Sequence, residues 1–412
     1  MARRDYAGGS VARYLVMGSS VFLTIFGLVM IYSASSISAY VKEGSATHFF
    51  VRQLAFVAIG AVLAFIIARF DYRRLQGPLG YQAWWVSVGL VVLTYIYGAM
   101  RNGARRWIPL GFTQLQPSEL TKIACVLVAA ALAVEWQRGR LDTRQYMKRL
   151  GIYVGIPAVL IVFQPDLGTA ILMAVGVGIV LFLGGIELRW VGLAGAAVVA
   201  FGVFAVAIAP YRMERVVTAL NPWLDAQDKG YQAVQALLAF GTGGIQGVGL
   251  GLSRQKFFYL PEAHTDFIFA IIGEEAGLIG TLAVVAAFVI LLYAGIRIAT
   301  RARDPFGRLV AGAVAGMLAF QATLNMAAVT GVFPVTGKPL PFISYGGSSM
   351  LVTLMSIGLI LSVSQFGALA PRAVRETPRS EERVRANPDE RRRNRGPRVP
   401  RPDGRRAVRR RA

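Results

Sequence analysis

The sequence has very few of the residues on which disulfide and metal sites depend. It contains one cysteine, Cys125, and two histidines, His48 and His264, in 412 residues. One cysteine cannot form an intramolecular disulfide, and two histidines are too few for a zinc site built on histidine. The sequence therefore predicts neither a disulfide framework nor a zinc centre.

Charged residues are also scarce, and the two signs are unequal. They make up 16% of the chain, whereas 55% is hydrophobic, and 44 Lys and Arg outnumber 22 Asp and Glu. A soluble domain of ordinary composition carries about 25% charged residues. Because the basic residues lie mainly between apolar stretches and near the C-terminus, the expected counter-charge is anionic lipid and not nucleic acid.

Long apolar runs dominate instead. About 20 mostly apolar residues cross a bilayer, and ten segments qualify, near 15–36, 53–68, 82–98, 118–135, 150–163, 167–184, 190–210, 266–296, 309–334 and 343–368. The first run lacks a signal-peptide cleavage site, so we interpret it as a membrane helix. The predicted fold class is an all-α polytopic membrane protein of about ten transmembrane helices, with a long extracytoplasmic loop, 211–265, before the eighth.

The basic residues orient these spans. Short connections on the side of the N-terminus hold 16 Lys and Arg, against 6 on the other side. Positive residues mark the cytoplasmic side, so both termini are predicted there, with 1–14 as a cytoplasmic N-terminus and 15–370 as the membrane domain. The tail 371–412 has 16 Arg, 6 acids and no Leu, Ile, Phe, Trp or Tyr. We predict that it is disordered, and that it either contacts anionic lipid or a cytoplasmic partner or only reinforces topology.

Six glycines between 241 and 251 superficially resemble a nucleotide-binding loop. Such a loop follows a strand and opens a helix in a βαβ unit, a context that this segment does not have. We therefore predict that the glycines pack against neighbouring helix ends.

Ionisable residues crowd the segment YLPEAHTDFIFA at 259–270, just before the eighth predicted helix. A partly desolvated carboxylate such as Asp266 has a raised pKa, which suits a general base, and Glu262 and His264 lie beside it. The alternative is that Thr265 or Asp266 only caps the helix. Spacing leaves both interpretations open.

Further charges fall within or beside apolar segments: Glu119, Lys122, Asp166, Glu274 and Glu275. Intramembrane charges are costly and usually face a protein cavity, so each is a candidate site residue. Glu119 and Lys122 are three residues apart on one helix face, where mutual neutralisation is the alternative role.

Two loops complete the candidates. The sequence NGARRWI at 102–108 places Arg105 and Arg106 on the predicted outer side, where they suit a lipid pyrophosphate or, alternatively, ordinary phospholipid headgroups. The sequence TGKPLPFISYGGSS at 336–349, which contains Lys338 and Ser344, allows close backbone approach to a ligand or to another helix.

In these motifs the sequence resembles the SEDS family of shape, elongation, division and sporulation proteins. The resemblance covers about 15–368 and rests on NGARRWI at 102–108, QPSELTK at 116–122, QPDLGT at 164–169, PEAHTDFIF at 261–269, EE at 274–275 and PLPFISYGGSS at 339–349. The stretch 249–263 is more similar to division members than to elongation members, with sporulation members as an alternative. The sequence departs from many division members at Gly337-Lys338, because in those proteins the lysine precedes the glycine.

The resemblance implies a peptidoglycan glycosyltransferase that polymerises lipid II on the outer face of the bacterial plasma membrane, at the division septum. Its implied partners are lipid II, the growing glycan chain, a class B penicillin-binding protein and other divisome membrane proteins. The rival interpretations are a lipid II transporter and a non-catalytic scaffold.

The family's essential aspartate matches Asp266, which favours the catalytic interpretation of that residue. Developing charge on the pyrophosphate would be stabilised by Arg105 and Arg106 or by a divalent cation, Mg²⁺ or Mn²⁺; the sequence specifies no other cofactor. The residues predicted to bind substrate are Arg105, Arg106, Glu119, Lys122, Asp166, Glu262, His264, Glu275, Lys338 and Ser344.

Overall fold

The computed structural model describes residues 2–101, 104–109, 111, 114–208 and 210–367. The predicted tail, 371–412, lies outside the described residues, as do 368–370 and the first two residues of the NGARRWI motif. The disorder of the tail and the domain boundaries therefore stay predictions.

Thirteen α-helices form most of the described chain. They are α1 (Ala2–Glu43), α2 (His48–Arg69), α3 (Pro78–Tyr97), α4 (Pro117–Gln137), α5 (Thr143–Phe163), α6 (Leu167–Gly184), α7 (Leu188–Ala207), α8 (Pro210–Leu220), α9 (Tyr231–Gly243), α10 (Ile268–Glu275), α11 (Gly277–Arg301), α12 (Pro305–Val329) and α13 (Gly347–Phe366). Short 3-10 helices, Tyr72–Gln76 and Pro222–Asp225, follow α2 and α8.

Nine helices in the described part of the chain are long and apolar enough to cross a membrane. α7 adds a shorter apolar stretch, Leu188–Phe204. The predicted all-α polytopic architecture with about ten spans is therefore confirmed. The long segment before the eighth span contains α8 and α9 and is thus partly helical.

α4 lies at the centre of the bundle. In the most apolar 18 residues of α4, 89% of the residues are buried inside the protein, whereas in those of α2 the share is 17%. α4 packs against α3, α5, α6 and α12, and its run of small residues, including Ala129, Ala130 and Ala131, allows these helices to approach closely. Large apolar side chains such as Phe65 and Trp85 are exposed on the outer helices, as expected where lipid is the solvent.

Prolines and capping carboxylates mark several helix starts. Proline occupies the first turn of α3, α4 and α12, where its missing N–H costs no intrahelical hydrogen bond. Asp304 caps α12 by accepting from the backbone N–H of Gly307 at 2.9 Å. Asp166 caps α6 in the same way, accepting from Thr169 N–H at 3.2 Å, so a carboxylate stands at the buried start of that helix.

The eighth predicted span, 266–296, is not one continuous helix. α10 ends at Glu275 and α11 begins at Gly277, which has φ +65°. A residue with a side chain is strained in that conformation, so glycine permits the break. Hydropathy predicted one continuous span because apolar runs flank the break, although α10 ends in two charged residues, Glu274 and Glu275.

The glycine-rich loop after α9 fills this break. Four backbone hydrogen bonds join the two segments: Val248 N–H to Glu274 O (2.9 Å), Gly249 N–H to Glu275 O (3.0 Å), Leu278 N–H to Gly244 O (2.9 Å) and Ile279 N–H to Ile245 O (3.2 Å). A Cβ on Gly247 would lie 2.2 Å from the carbonyl oxygen of Glu275, so only glycine fits there. The predicted packing against helix ends is confirmed for Gly243, Gly244, Gly247 and Gly249.

A small antiparallel sheet lies between α3 and α4, where the sequence predicted only a loop. Its strands are β1 (Ala99–Arg101), β2 (Ala104–Pro109) and β3 (Gln114–Leu115), in the order β1-β2-β3. Successive strand residues face opposite sides. This alternation leaves Arg105 exposed while Arg106 is half-buried.

Candidate functional site

Four charged side chains from distant parts of the sequence meet inside the bundle: Glu119, Lys122, Asp166 and Lys338, here named the buried charge cluster. Each is at most 4% exposed. Lys122 Nζ lies 2.7 Å from Glu119 Oε2, and Lys338 Nζ lies 2.8 Å from Asp166 Oδ1 and 3.6 Å from Glu119 Oε1. The pairing of Glu119 with Lys122 predicted from their spacing is confirmed.

Three elements bring the buried charge cluster together. Glu119 and Lys122 share a face in the first two turns of α4, and Asp166 caps α6. Lys338 lies in the connection between α12 and α13 and reaches the start of α6, where it also donates to Thr169 Oγ1. Gly168 makes room for the lysine, because a Cβ there would lie 2.8 Å from Lys338 Cγ.

Ion pairs and hydrogen bonds together compensate the burial of Asp166. Gln116 Nε2 and Ser118 Oγ donate to its Oδ2 at 2.9 and 3.2 Å. Burial alone would raise the pKa of Asp166, but the charges of Lys338 and Arg106 outweigh it and lower the pKa to about 2. The carboxylate therefore stays ionised at every physiological pH.

The two arginines of β2 have different surroundings. Arg105 is exposed and donates to the carbonyl oxygen of Tyr95 at 3.2 Å. Arg106 donates to the carbonyl oxygens of Gln164 and Pro165, immediately before Asp166. Arg106 thus stands beside the buried charge cluster, whereas Arg105 lies at the protein surface.

Asp266 is partly buried, in the turn-rich segment just before α10. Burial raises its pKa to about 6, and the negative charge of Glu262 adds to the rise, while Lys338, Arg215 and Arg106 act against it. A methyl group built on Gly337 would lie 3.7 Å from Asp266 Oδ2, so the carboxylate faces the loop that carries Lys338. Among the described residues no side chain caps α10, whose N-cap is Phe267. The capping alternative for Asp266 therefore has no support in this geometry.

Glu262 and His264 flank Asp266 without sharing its surroundings. Glu262 is exposed, and its Oε2 accepts from Thr265 Oγ1 at 2.6 Å. His264 stacks on Phe49 with ring centroids 4.7 Å apart, and burial lowers the pKa of its imidazole. His264 is consequently neutral at pH 7 and contributes an aromatic surface.

Ser344 supports the loop between α12 and α13 from within. Its Oγ accepts from the backbone N–H of Leu340 at 2.8 Å, and the side chain is 4% exposed. One residue later, the backbone N–H of Tyr345 donates to the carbonyl oxygen of His264 at 3.0 Å. These bonds join the loop to the segment that carries Asp266.

Glu275 has different partners from the buried charge cluster. Its Oε1 lies 3.4 Å from Lys256 Nζ, and Ser33 Oγ of α1 donates to the carboxylate at 2.7 Å. The neighbouring Glu274 accepts from Ser253 Oγ and from the backbone N–H of Arg254 at 3.0 Å. Both carboxylates thus hold the segment 253–256, which follows the glycine-rich loop, at the end of α10. A role for Glu275 in substrate binding stays a prediction.

Sequence reasoning missed several polar side chains at the site. Lys256, Gln321 and Asn325 are each at most 7% exposed and contact the residues described above. A signal was available for two of them, because Gln321 and Asn325 are amides four residues apart within the otherwise apolar α12.

The described residues contain no group of three or more His, Cys, Asp or Glu side chains that could hold a metal ion. Mg²⁺ in phosphate-transfer sites often uses only one or two carboxylates together with substrate phosphates. A divalent cation at a bound pyrophosphate therefore stays a prediction.

Comparison with known proteins places this geometry in a family. The family profile described as "Cell cycle protein", which covers FtsW, RodA and SpoVE, matches residues 13–368. The chain is 43% identical over 360 residues to a "Probable peptidoglycan glycosyltransferase FtsW" of Trichlorobacter lovleyi, covering 85% of this chain and 92% of that protein. It is 41% identical to "Stage V sporulation protein E" of Bacillus subtilis, covering 85% of this chain and 96% of that protein.

Solved structures agree with these relatives. One, from a study titled "Structural coordination of polymerization and crosslinking by a peptidoglycan synthase complex", has a TM-score of 0.69 at 31% identity and covers 85% of this chain and 96% of its own. The rod shape determining protein RodA of Thermus thermophilus has a TM-score of 0.64 at 29% identity, covering 86% and 97%. The resemblance drawn from the motifs is confirmed: this multi-pass membrane protein belongs to the FtsW/RodA/SpoVE family of cell cycle proteins.

Proposed function

We propose that this protein is a peptidoglycan glycosyltransferase that polymerises lipid II into glycan strands during septal cell-wall synthesis. Relatives that share about 40% of its residues carry this activity or a sporulation role in their names. The observation that carries the proposal is Asp266, a partly buried carboxylate with a pKa of about 6 that faces the Lys338 loop. A general base is most effective when its pKa is near the working pH.

In this reaction the carboxylate of Asp266 accepts the proton of the acceptor sugar's 4-hydroxyl. The hydroxyl oxygen bonds to the anomeric carbon of the donor, and undecaprenyl pyrophosphate leaves with the electrons of the broken bond. Direct displacement on an α-linked donor gives a β-linked product without a covalent enzyme intermediate. One carboxylate suffices because the pyrophosphate is a good leaving group, unlike the alcohol displaced in glycoside hydrolysis.

Negative charge grows on the pyrophosphate as it leaves, and nearby cations stabilise it. Arg106 is suited to this role because it is half-buried and its charge already acts on both Asp166 and Asp266. Arg105 is exposed and would meet the pyrophosphate at the rim. The alternative counter-charge is Mg²⁺ or Mn²⁺ at the pyrophosphate.

The proposal includes a partner and a location. A class B penicillin-binding protein is the proposed crosslinking partner, supported by the likeness to a structure of a peptidoglycan synthase complex. Both termini are proposed to be cytoplasmic and 211–265 to lie outside, supported by the ratio of 16 to 6 basic residues between the two sides. Asp266 then acts on the outer face, at the septum.

Transport of lipid II is the second candidate function. Buried charges between helices, such as those of the buried charge cluster, also occur along transport pathways. Transport moves the lipid without forming a bond, so the two functions differ in whether the acceptor hydroxyl is required.

Purified protein with its penicillin-binding partner and labelled lipid II tests the proposal. We expect glycan strands on a gel, and none from lipid II whose 4-hydroxyl is blocked. The matched experiment follows movement of the same two lipids across vesicles that contain the protein. Translocation of both lipids without any strand formation would establish transport and overturn the proposal.

A further inference from the structure

α12 carries two buried amides, Gln321 and Asn325, one helical turn apart. They are 1% and 3% exposed. A buried amide is costly unless it is hydrogen-bonded, so the partners of these side chains indicate what holds them there. The two residues are named the amide pair below.

Asn325 joins the candidate base to the lysine loop. Its Nδ2 donates to the carbonyl oxygen of Asp266 at 2.9 Å and to that of Lys338 at 2.8 Å. Both partners are carbonyl oxygens, which can only accept, so the orientation of the amide is fixed by its contacts. One side chain therefore spans two segments that lie 72 residues apart in the sequence.

Gln321 joins the same loop to the buried charge cluster. Its Nε2 donates to the carbonyl oxygen of Pro339 at 3.0 Å, and its Oε1 accepts from Lys122 Nζ at 2.9 Å. Lys338 in turn pairs with Asp166 at 2.8 Å. The amide pair thus fixes the backbone on both sides of the bond between Lys338 and Pro339.

We propose that the amide pair is a positioning device, which sets the place of the Asp266 carboxylate relative to Lys338 and the buried charge cluster. The inference rests on the proposed function, since it assigns a role to Asp266 in a reaction. Neither amide has to touch substrate for this role.

The surroundings of Asp266 explain why such a device is needed. Asp266 lies in a turn before α10, and the opposing loop bends at Gly337, which has φ +68°. Neither segment is held by a helical or sheet ladder at that point. A displacement of about 1 Å in a reacting group can cost about a hundredfold in rate, so a fixed link between the two loops is of direct catalytic value.

Asn325→Leu tests the inference, because leucine has nearly the same size and branching but no donor. In polymerisation of lipid II by the full-length protein with its partner, we expect kcat to fall about tenfold or more while KM changes by less than about twofold. Asn325→Gln, which keeps the donor on a longer arm, should recover part of kcat. Thr323→Val is the matched control on the same helix, since Thr323 is exposed and bonds only to its own helix at Ala319, and it should match wild type.

The outcomes separate this inference from the proposed function. If wild type polymerises lipid II and Asn325→Leu has the same kcat, the positioning role is wrong and the proposed function stands. A rise in KM with kcat unchanged would assign Asn325 to substrate binding and also overturn it. An inactive wild type would instead contradict the proposed function.

A second variant keeps the inference testable if Asn325→Leu does not fold. Should Asn325→Leu fail to purify as a folded protein, Asn325→Ser retains a hydroxyl donor that can serve one carbonyl at a time. We expect Asn325→Ser to show the same fall in kcat with little change in KM. Gln321→Met should show it more weakly, because Gln321 bonds to Pro339 and Lys122 whereas Asn325 bonds to Asp266 itself. Wild-type kcat in both variants would overturn the inference.

Discussion

Asp166 and Asp266 are the same residue type in opposite environments. Asp166 is 2% exposed and meets a lysine, a glutamine, a serine and a threonine. The charges of Lys338 and Arg106, with hydrogen bonds from Lys338 and Thr169, lower its pKa to about 2. Asp266 is more exposed, yet its pKa is raised to about 6, by burial and by the charge of Glu262.

The contrast shows how one fold separates structural charges from reactive ones. A carboxylate fixed by several donors is a poor base because its charged form is already stabilised. A carboxylate that the protein leaves short of donors gains by accepting a proton, which is the property that catalysis uses. On the proposed function, Asp166 accordingly holds α4, α6 and the Lys338 loop together, and Asp266 is the base.

The largest expected effect comes from Asp266→Asn, which keeps the shape of the side chain and removes its basicity. General-base assistance contributes about 10² to 10⁴ in rate, so kcat for polymerisation should fall by at least that order. The unfolding temperature in detergent should not fall, because the carboxylate caps no helix among the described residues and the neutral amide removes a desolvated charge. Strand synthesis at the wild-type rate would return Asp266 to a structural role, and a transporter that needs only polarity would keep its function.

Asp166→Asn should give the reverse pattern, with stability affected first. Among the described residues, the change leaves Glu119, at 3.6 Å, as the one carboxylate paired with Lys338. Breaking a buried ion pair costs about 3 to 5 kcal/mol, so the unfolding temperature of the purified protein should drop markedly. The double variant with Lys338→Met removes both charges and should recover part of the loss. A single variant as stable as wild type would contradict the structural assignment of Asp166.

The change in unfolding free energy with rising pH should have opposite signs for the two aspartates. The pKa of Asp266 is raised in the folded state, so its contribution to stability is present below about pH 4 and is lost as pH rises through about 6. The pKa of Asp166 is lowered, so its contribution is present above about pH 4 and is lost as pH falls towards about 2. The pH range of Asp266 is tested by measuring the unfolding temperatures of wild type and Asp266→Asn between pH 4 and 7. The difference between the two temperatures should change with pH. A constant difference would exclude the raised pKa.

The acid limb of polymerisation activity should follow the same titration. With a pKa of about 6 for Asp266, kcat should fall about tenfold per pH unit below that value and level off above it. Initial rates measured in one buffer series at constant ionic strength give the midpoint. A midpoint near pH 4 would mean that the carboxylate responsible is not desolvated.

The smallest expected effect on polymerisation comes from replacing Arg106. Its positive charge favours the ionised form of both Asp166 and Asp266. Arg106→Ala should reduce polymerisation about tenfold, and Arg106→Lys less, since phosphate contact depends first on charge and then on the fork geometry. Arg106 also holds the carbonyl oxygens of Gln164 and Pro165, so the unfolding temperature must be measured alongside. Unchanged rates in both variants would confine Arg106 to that anchoring role.

Much of this architecture could be predicted from local sequence. Hydropathy located the membrane helices, because a bilayer demands long apolar runs, and helical spacing alone paired Glu119 with Lys122. The PEAHTDFIF motif brought attention to Asp266 on two independent grounds, its place before a helix and its match to a family. Its role as a base stays a prediction.

The rest depends on tertiary contacts that spacing does not encode. Lys338 and Asp166 are 172 residues apart, and their ion pair forms only because the connection after α12 folds over the start of α6. The amide pair resembled ordinary polar substitutions in an apolar helix until its partners were visible. The small sheet at 99–115 was missed because its strands are only three, six and two residues long.

The break at Gly277 also constrains how this protein is made. A buried backbone N–H or C=O without a partner costs free energy, and here the partners come from the loop at 244–249, which is synthesised before α10 and α11. The hydrogen bonds between this loop and the two helices can therefore form only after α10 and α11 have been synthesised. α11, Gly277–Arg301, is by itself long and apolar enough to cross a membrane, so we expect it to insert independently of α10. The loop and α10, by contrast, can reach their final positions only together, once α11 has been made.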